Sequence, residues 1–247
     1  MKFTYLDLID PTILFAPIMA TNWFKHEERF YSLFTDDENK KFQIPGYRGK
    51  RCIIEFEMAQ QLSKIQEKLV DQGFSLKVYD AYRPQKTVDF FTEWTQLPDT
   101  PLVKKVHYPC AEKKNFHTLS YLSQTSSHTL GTAVDLTIIH THSDLNKDKE
   151  KDLLGLWDPQ SLDMGNVGYL AFDERSWHTF GDLTIEQKEN RNLLKNIMVD
   201  SGFDPLETEF WHYYFSPQRN RDTFFNFEIR DNYRVLPDLT LDLDQKT

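Results

Sequence analysis

An aspartate interrupts an apolar run, Ala133-Val134-Asp135-Leu136-Thr137-Ile138-Ile139. The length of the run and its β-branched residues predict a short buried strand. A carboxylate inside such a strand is costly to bury unless it is paired or bound to a metal. The fold must therefore bring a cation to Asp135, and this requirement narrows the arrangements open to the chain. Just upstream lies Ser126-Ser127-His128-Thr129-Leu130-Gly131, which sets an imidazole before the aspartate with six residues between them, across a glycine turn.

Two more segments put charge into apolar patterns. In Glu209-Phe210-Trp211-His212-Tyr213-Tyr214-Phe215 a histidine occupies an aromatic strand, and Asp80-Ala81-Tyr82-Arg83-Pro84 ends a strand with a guanidinium. Such breaks in local pattern are where function is expected. His128, Asp135 and His212 supply two imidazoles and one carboxylate, the donor set of a catalytic Zn²⁺ that keeps its fourth position for water. Glu209 is then placed to act as general base beside the ion without ligating it. Residues three apart on an ideal strand point to opposite faces, so this reading expects Glu209 at a turn or bulge before the strand that carries His212. Each residue also has a plainer reading. His212 fits a hydrogen-bonded core histidine, His128 a surface loop, Asp135 and Arg83 a buried ion pair, and Glu209 an exposed loop acid.

The remaining elements favour an α+β fold: a single compact domain over residues 1–247, with a long N-terminal region (about 1–50) and an acidic tail (about 235–247). Residues 55–72 repeat apolar positions at helical spacing and stop at Gly73, and residues 75–82 alternate as a strand with Leu76, Val78, Asp80 and Tyr82 on one face. A helix begins at Pro84. Residues 97–126 read as an irregular connection, and a further helix starts at Thr184 with a capping-box pattern to Gln187 and ends at Gly202. Phe is frequent, at 19 residues, and the aromatics around His212 are expected to wall the site.

With 29 Lys plus Arg against 38 Asp plus Glu, the net charge of -9 argues against partners bound through phosphate, whether nucleic acid or anionic membrane. Cys52 and Cys110 are too few for a disulfide framework and read as buried or half-buried thiols. The stretch from Thr12 to Ala20 follows Pro11, carries Pro17 and lacks a cleavage pattern, so a cytoplasmic protein is expected, with a periplasmic one as the alternative. The pattern leaves the oligomeric state open.

Taken together, Val78 to Pro84, Ser126 to Thr137, Asp163-Met164-Gly165, Asp173-Glu174-Arg175-Ser176, Ser201-Gly202-Phe203 and Glu209 to Tyr213 resemble the zinc D-alanyl-D-alanine dipeptidases. The resemblance implies a zinc D-Ala-D-Ala peptidase fold built on an antiparallel sheet with flanking helices, shared more distantly with hedgehog-type domains. It implies one Zn²⁺ on His128, Asp135 and His212, Glu209 as catalytic base, Arg83 as the guanidinium of the transition state and Ser126 in contact with substrate. The implied substrate is a small dipeptide, D-Ala-D-Ala. Two departures stand out. Phe210 replaces a tryptophan common in the family, and the Phe-Asp pair that follows Met-Gly in relatives is displaced here to Phe172-Asp173, so Asp173 either takes the substrate ammonium through a longer loop or belongs to the Asp-Glu-Arg-Ser segment only. The rival readings are a D,D- or L,D-carboxypeptidase acting on peptidoglycan stems and a zinc-containing binding domain without catalysis.

Overall fold

The computed structural model describes residues 1–15, 44–99, 101–141, 158, 160–165, 171–218 and 222–244. The stretch at 22–46 expected to decorate the N-terminal region, His142 and the charged run at 144–152 lie wholly or mostly outside them, as does the segment 166–170 before Phe172.

Five strands form the main sheet, in the order β2 (Leu14–Phe15), β4 (Phe74–Asp80), β5 (Ala133–His140), β7 (Glu209–Phe215) and β6 (Phe203–Leu206). Only the edge pair β2–β4 is parallel, and the other three pairings are antiparallel. Two short strands outside the sheet, β1 (Phe3–Tyr5) and β3 (Ile53–Glu55), pair with each other, and β8 (Arg234–Val235) with β9 (Leu241–Asp242) closes the tail.

The helices start and stop where the chain provides caps. Helix α2 (Phe56–Val70), which follows the one-turn α1 (Leu6–Ile9), begins where the Glu55 carboxylate accepts the Met58 N–H, and it buries Ala59, Leu62, Ile65 and Leu69. Val70, expected on that face, is exposed. Helix α3 (Gln85–Thr95) starts behind Pro84 and buries Val88, Phe91 and Trp94. Helix α5 (Ile185–Val199) is entered through the expected capping box, with Thr184 and Gln187 satisfying each other's backbone N–H groups. The connection at 97–126 is more ordered than its sequence suggests: α4 (Pro101–His107) and a 3₁₀ turn at Lys113–Asn115 interrupt it.

Strand β4 does not alternate cleanly. Val78 pairs with Leu136 but Asp80 pairs with Asp135, so Tyr79 is the extra residue of a bulge. Leu136 and Asp135 point to opposite faces, and their partners must do so too. Asp80 therefore leaves the face of Leu76 and Val78, contrary to the simple alternation, and joins Asp135 on the other side. Leu76, Val78, Leu136 and Ile138 are fully buried in the core. The Phe-rich segment after residue 223 is not a strand. Phe225 and Phe227 pack edge-on against Phe3, and Phe227 stacks on Tyr82 at 4.1 Å, which ties the C-terminal segment to the N-terminal strand. Cys52 is buried and Cys110 exposed, correcting the expectation of two shielded thiols. Among the described residues no helix is long and apolar enough to cross a membrane.

His178, beside the Tyr213 ring at 6.2 Å, gives the fold an acid-sensitive point. Burial, then the nearby Lys195 and Arg191 charges, lower its pKa to about 4. The unfolded chain takes up this proton near pH 6.5, so the group's contribution is intact above that pH and is lost as pH falls toward 4. His178→Gln should remove about 2 kcal/mol of acid destabilisation over that window, allowing for the partial exposure of the ring. Urea denaturation of both proteins at pH 7.5 and 4.5 tests this, and equal losses in the two proteins would refute it.

Candidate metal centre and active site

One row of the sheet carries the chemistry. Asp80 on β4 is opposite Asp135 on β5, and Asp135 is opposite His212 on β7. Residues in register share a face, so the three side chains emerge together. His128 joins them from the loop before β5. That loop turns back at Gly131, whose φ of +67° favours glycine and where a Cβ would meet the Phe3 ring at 3.0 Å.

The tautomers follow from the partners. His128 Nδ1 lies 2.7 Å from the Ala81 carbonyl, which can only accept, so Nδ1 carries the proton and Nε2 presents a lone pair. His212 Nε2 lies 3.3 Å from Ser127 Oγ, which can accept its proton and leave Nδ1 bare. These two bare nitrogens are 3.2 Å apart. Asp135 Oδ1 is 2.8 Å from His212 Nδ1, and Oδ2 is 3.2 Å from His128 Nε2. In these tautomers three buried electron-pair donors converge with no proton between them, and a cation at their centre would satisfy all three. Ligand atoms 2.0–2.2 Å from a tetrahedral Zn²⁺ lie roughly 3.3–3.5 Å from one another. The side chains meet this with shifts of about half an ångström, so the set fits such an ion, and these three residues form a candidate metal site. Burial pushes the Asp135 carboxyl up; without a cation between them, the imidazoles can instead turn N–H groups and positive charge toward it, which outweighs burial and holds the group well below the usual carboxylate range.

Glu209 follows the two-residue turn at 207–208 and is the first residue of β7 rather than a residue before it. The expected irregularity is present. Leu206 pairs with Glu209 whereas Pro205 pairs with Tyr213, so 210–212 are extra on β7, and Glu209 Oε2 comes within 3.9 Å of His212 Nδ1. Burial first, then the Asp135 charge, raise the Glu209 pKa to about 8 against the opposing pull of Arg83. Arg83 places Nε 2.8 Å from Asp80 Oδ2 and Nη2 3.6 Å from Asp135 Oδ2, so both the structural carboxylate and the metal-site carboxylate face it.

All these groups except Asp80 open onto one cavity of about 480 Å³. Ser126 lies on its wall and accepts the His128 N–H. Phe91, Trp94, Tyr121 and Phe172 form an aromatic wall, and of the aromatics around His212 only Trp211 and Tyr214 reach it; Phe210, Tyr213 and Phe215 belong to the core. Asp173 is not brought to the cavity. Its carboxylate caps the turn at Glu174–Ser176 and is clasped by Arg175 at 2.6 Å, so only its neighbour Phe172 faces the space. Sequence reasoning passed over Ser127, whose part depends on an imidazole 85 residues away.

A buried His/Asp/His cluster with an acid and a guanidinium on one cavity is the layout of a metal-dependent hydrolytic centre. The sequence profile of the family described as D-Ala-D-Ala dipeptidase matches residues 31–230, and the chain belongs to that family. It is similar to the D-alanyl-D-alanine dipeptidase of Enterococcus faecium, 28% identical over 76% of this chain and 85% of that one. Similar proteins of the same description in Enterococcus faecalis and Streptomyces coelicolor are each 31% identical over 75% of this chain and 84% of theirs.

Removing a ligand should cost more than removing its support. His212→Ala should abolish stoichiometric binding of Zn²⁺, and Ser127→Ala should weaken it by about tenfold, the low end for an outer partner of a metal-bound imidazole. Chelator competition followed by metal analysis measures both. Unchanged affinity in the His212 variant would remove that residue from the site.

Proposed function

We propose that this chain hydrolyses the dipeptide D-Ala-D-Ala to two D-Ala, with one zinc on His128, Asp135 and His212 and Glu209 as general base. The observation that carries this reading is the convergence of the His128, Asp135 and His212 ligand atoms beside a buried acid in a cavity of small-molecule size. The relatives' common description supports the choice of substrate. The same proposal takes residues 1–247 as one domain and extends the fold to the zinc peptidase group and its hedgehog-type relatives.

Zinc bound there supplies a Lewis acid and lowers the pKa of its water toward neutrality. Glu209 is the proton acceptor: a buried carboxylate beside the ligands, it takes the proton from the water and, once protonated, passes it to the departing amine, while a bound cation would offset the burial and the Asp135 charge that raise its pKa. Arg83, on the cavity wall with its Nε engaged by Asp80, is the donor for the charge that develops on the carbonyl oxygen. Ser126 is on the same wall, where it can meet the substrate. The aromatic wall keeps water sparse, which strengthens each of these charge interactions. With Asp173 held by Arg175, the ammonium is not assigned to it.

Release of D-Ala from D-Ala-D-Ala and from a pentapeptide ending in D-Ala-D-Ala tests the proposal. The dipeptide should be the substrate; cleavage of the pentapeptide alone would favour a carboxypeptidase, and cleavage of neither by zinc-loaded protein would favour a binding domain. Glu209→Gln should reduce kcat by about 10³-fold while zinc stays bound. Zinc loss in that variant would make Glu209 a ligand instead.

A further inference from the structure

Asp80 is buried beside the site without lining the cavity, and each of its oxygens is engaged. Oδ2 accepts Arg83 Nε at 2.8 Å, and Oδ1 accepts the Ala81 N–H and the Tyr47 hydroxyl, both at 3.0 Å. Tyr47 is itself buried and held by a bridge to Ile229. The β4 bulge sets Asp80 directly opposite Asp135, so two carboxylates face each other across adjacent strands. Like charges so placed repel, and Arg83 lies between them, 2.8 Å from one and 3.6 Å from the other.

This asymmetry matters for the guanidinium. An arginine offered a single buried carboxylate closes onto it in a two-pronged pair. If Arg83 did so with Asp135, the 3.6 Å approach of Nη2 would become full closure onto a candidate metal ligand. Asp80 competes for the same side chain from behind, and Tyr47 fixes the direction from which it does so.

We propose that Asp80, oriented by Tyr47, is a positioning residue that holds Arg83 by its Nε edge, limiting its Nη edge to a single 3.6 Å approach to Asp135 in place of full closure onto it. The proposal rests on the reading of Arg83 given above. In a misaligned donor the loss falls on the transition state rather than on substrate binding. Asp80→Asn should therefore lower kcat for D-Ala-D-Ala by about 30- to 100-fold with KM within about threefold. Tyr47→Phe should lower kcat less, by about three- to tenfold. Zinc content and thermal midpoint should stay near those of the parent in the Tyr47 variant, which carries the test if the Asp80 variant does not fold.

A double-mutant cycle separates positioning from general support. In an Arg83→Ala background, Asp80→Asn and Tyr47→Phe should each change kcat by less than about twofold, because the group they position is gone. Losses that multiply with that of Arg83→Ala would overturn the proposal, as would an unchanged kcat in both single variants. A crystal structure of the Tyr47 or Asp80 variant adds a readout independent of turnover: Arg83 should move toward Asp135, and an unmoved guanidinium in the Asp80 variant also overturns it. Failure of the parent protein to cleave D-Ala-D-Ala would instead count against the functional reading and leave this structural arm decisive.

Discussion

Two carboxylates and an imidazole stand in one row across the middle of a buried sheet, and much of the molecule is arranged around keeping them there. Neither Asp80 nor Asp135 is tolerable alone in such a place, and side by side they are less so. The compensation comes from three directions. Arg83 reaches between them from the turn after β4, His128 leans in from the loop before β5, and His212 arrives in register on β7. Burial thereby converts an electrostatic cost into specificity: the strands must pair in this order and this register for the charges to be met.

Local irregularities do the aiming. A bulge at Tyr79 turns Asp80 onto the site face, and the extra residues 210–212 bring Glu209 round to the face of His212. Regular strands could do neither, since each would leave one member of the pair on the far side. Bulges next to functional groups serve this purpose generally. Here they let a sheet with an apolar face packed into the core carry a charged centre on its other face.

The chemistry was the more readable part of the sequence. Asp135, His212 and Arg83 each break an apolar or aromatic pattern, and a broken pattern is visible in one dimension. The helices were legible for the same reason, through capping residues at Thr184 and Pro84 and a clear period. What escaped was what depends on distant partners. The bulge at Tyr79 has no local signature, so alternation misassigned the face of Asp80. Tyr47 and Ser127 look like ordinary polar residues until the folded chain puts them beside Asp80 and His212. Asp173 shows a different dependence: its neighbours match a motif, yet in the folded chain its carboxylate pairs with Arg175, two residues on. The short strands at the two ends lack the length to announce themselves, and the helix at Pro101–His107 is hidden in an unpatterned stretch.

His128 and Asp135 are near one another along the chain, but His212 lies 77 positions beyond Asp135. Glu209 and His212, by contrast, share one strand and one hairpin arm. Their relation is a local matter, settled as soon as that hairpin forms, whereas the complete cluster exists only after β7 has docked on β5. Long-range pairings of this kind close late because loop entropy must be overcome first. An ion that binds the closed cluster and not its separate parts therefore acts as a latch on the central seam of the sheet, drawing the population toward fully paired strands by mass action. In that sense the centre is also a sensor of the fold's completeness: affinity for the ion reports whether the last strand is in place.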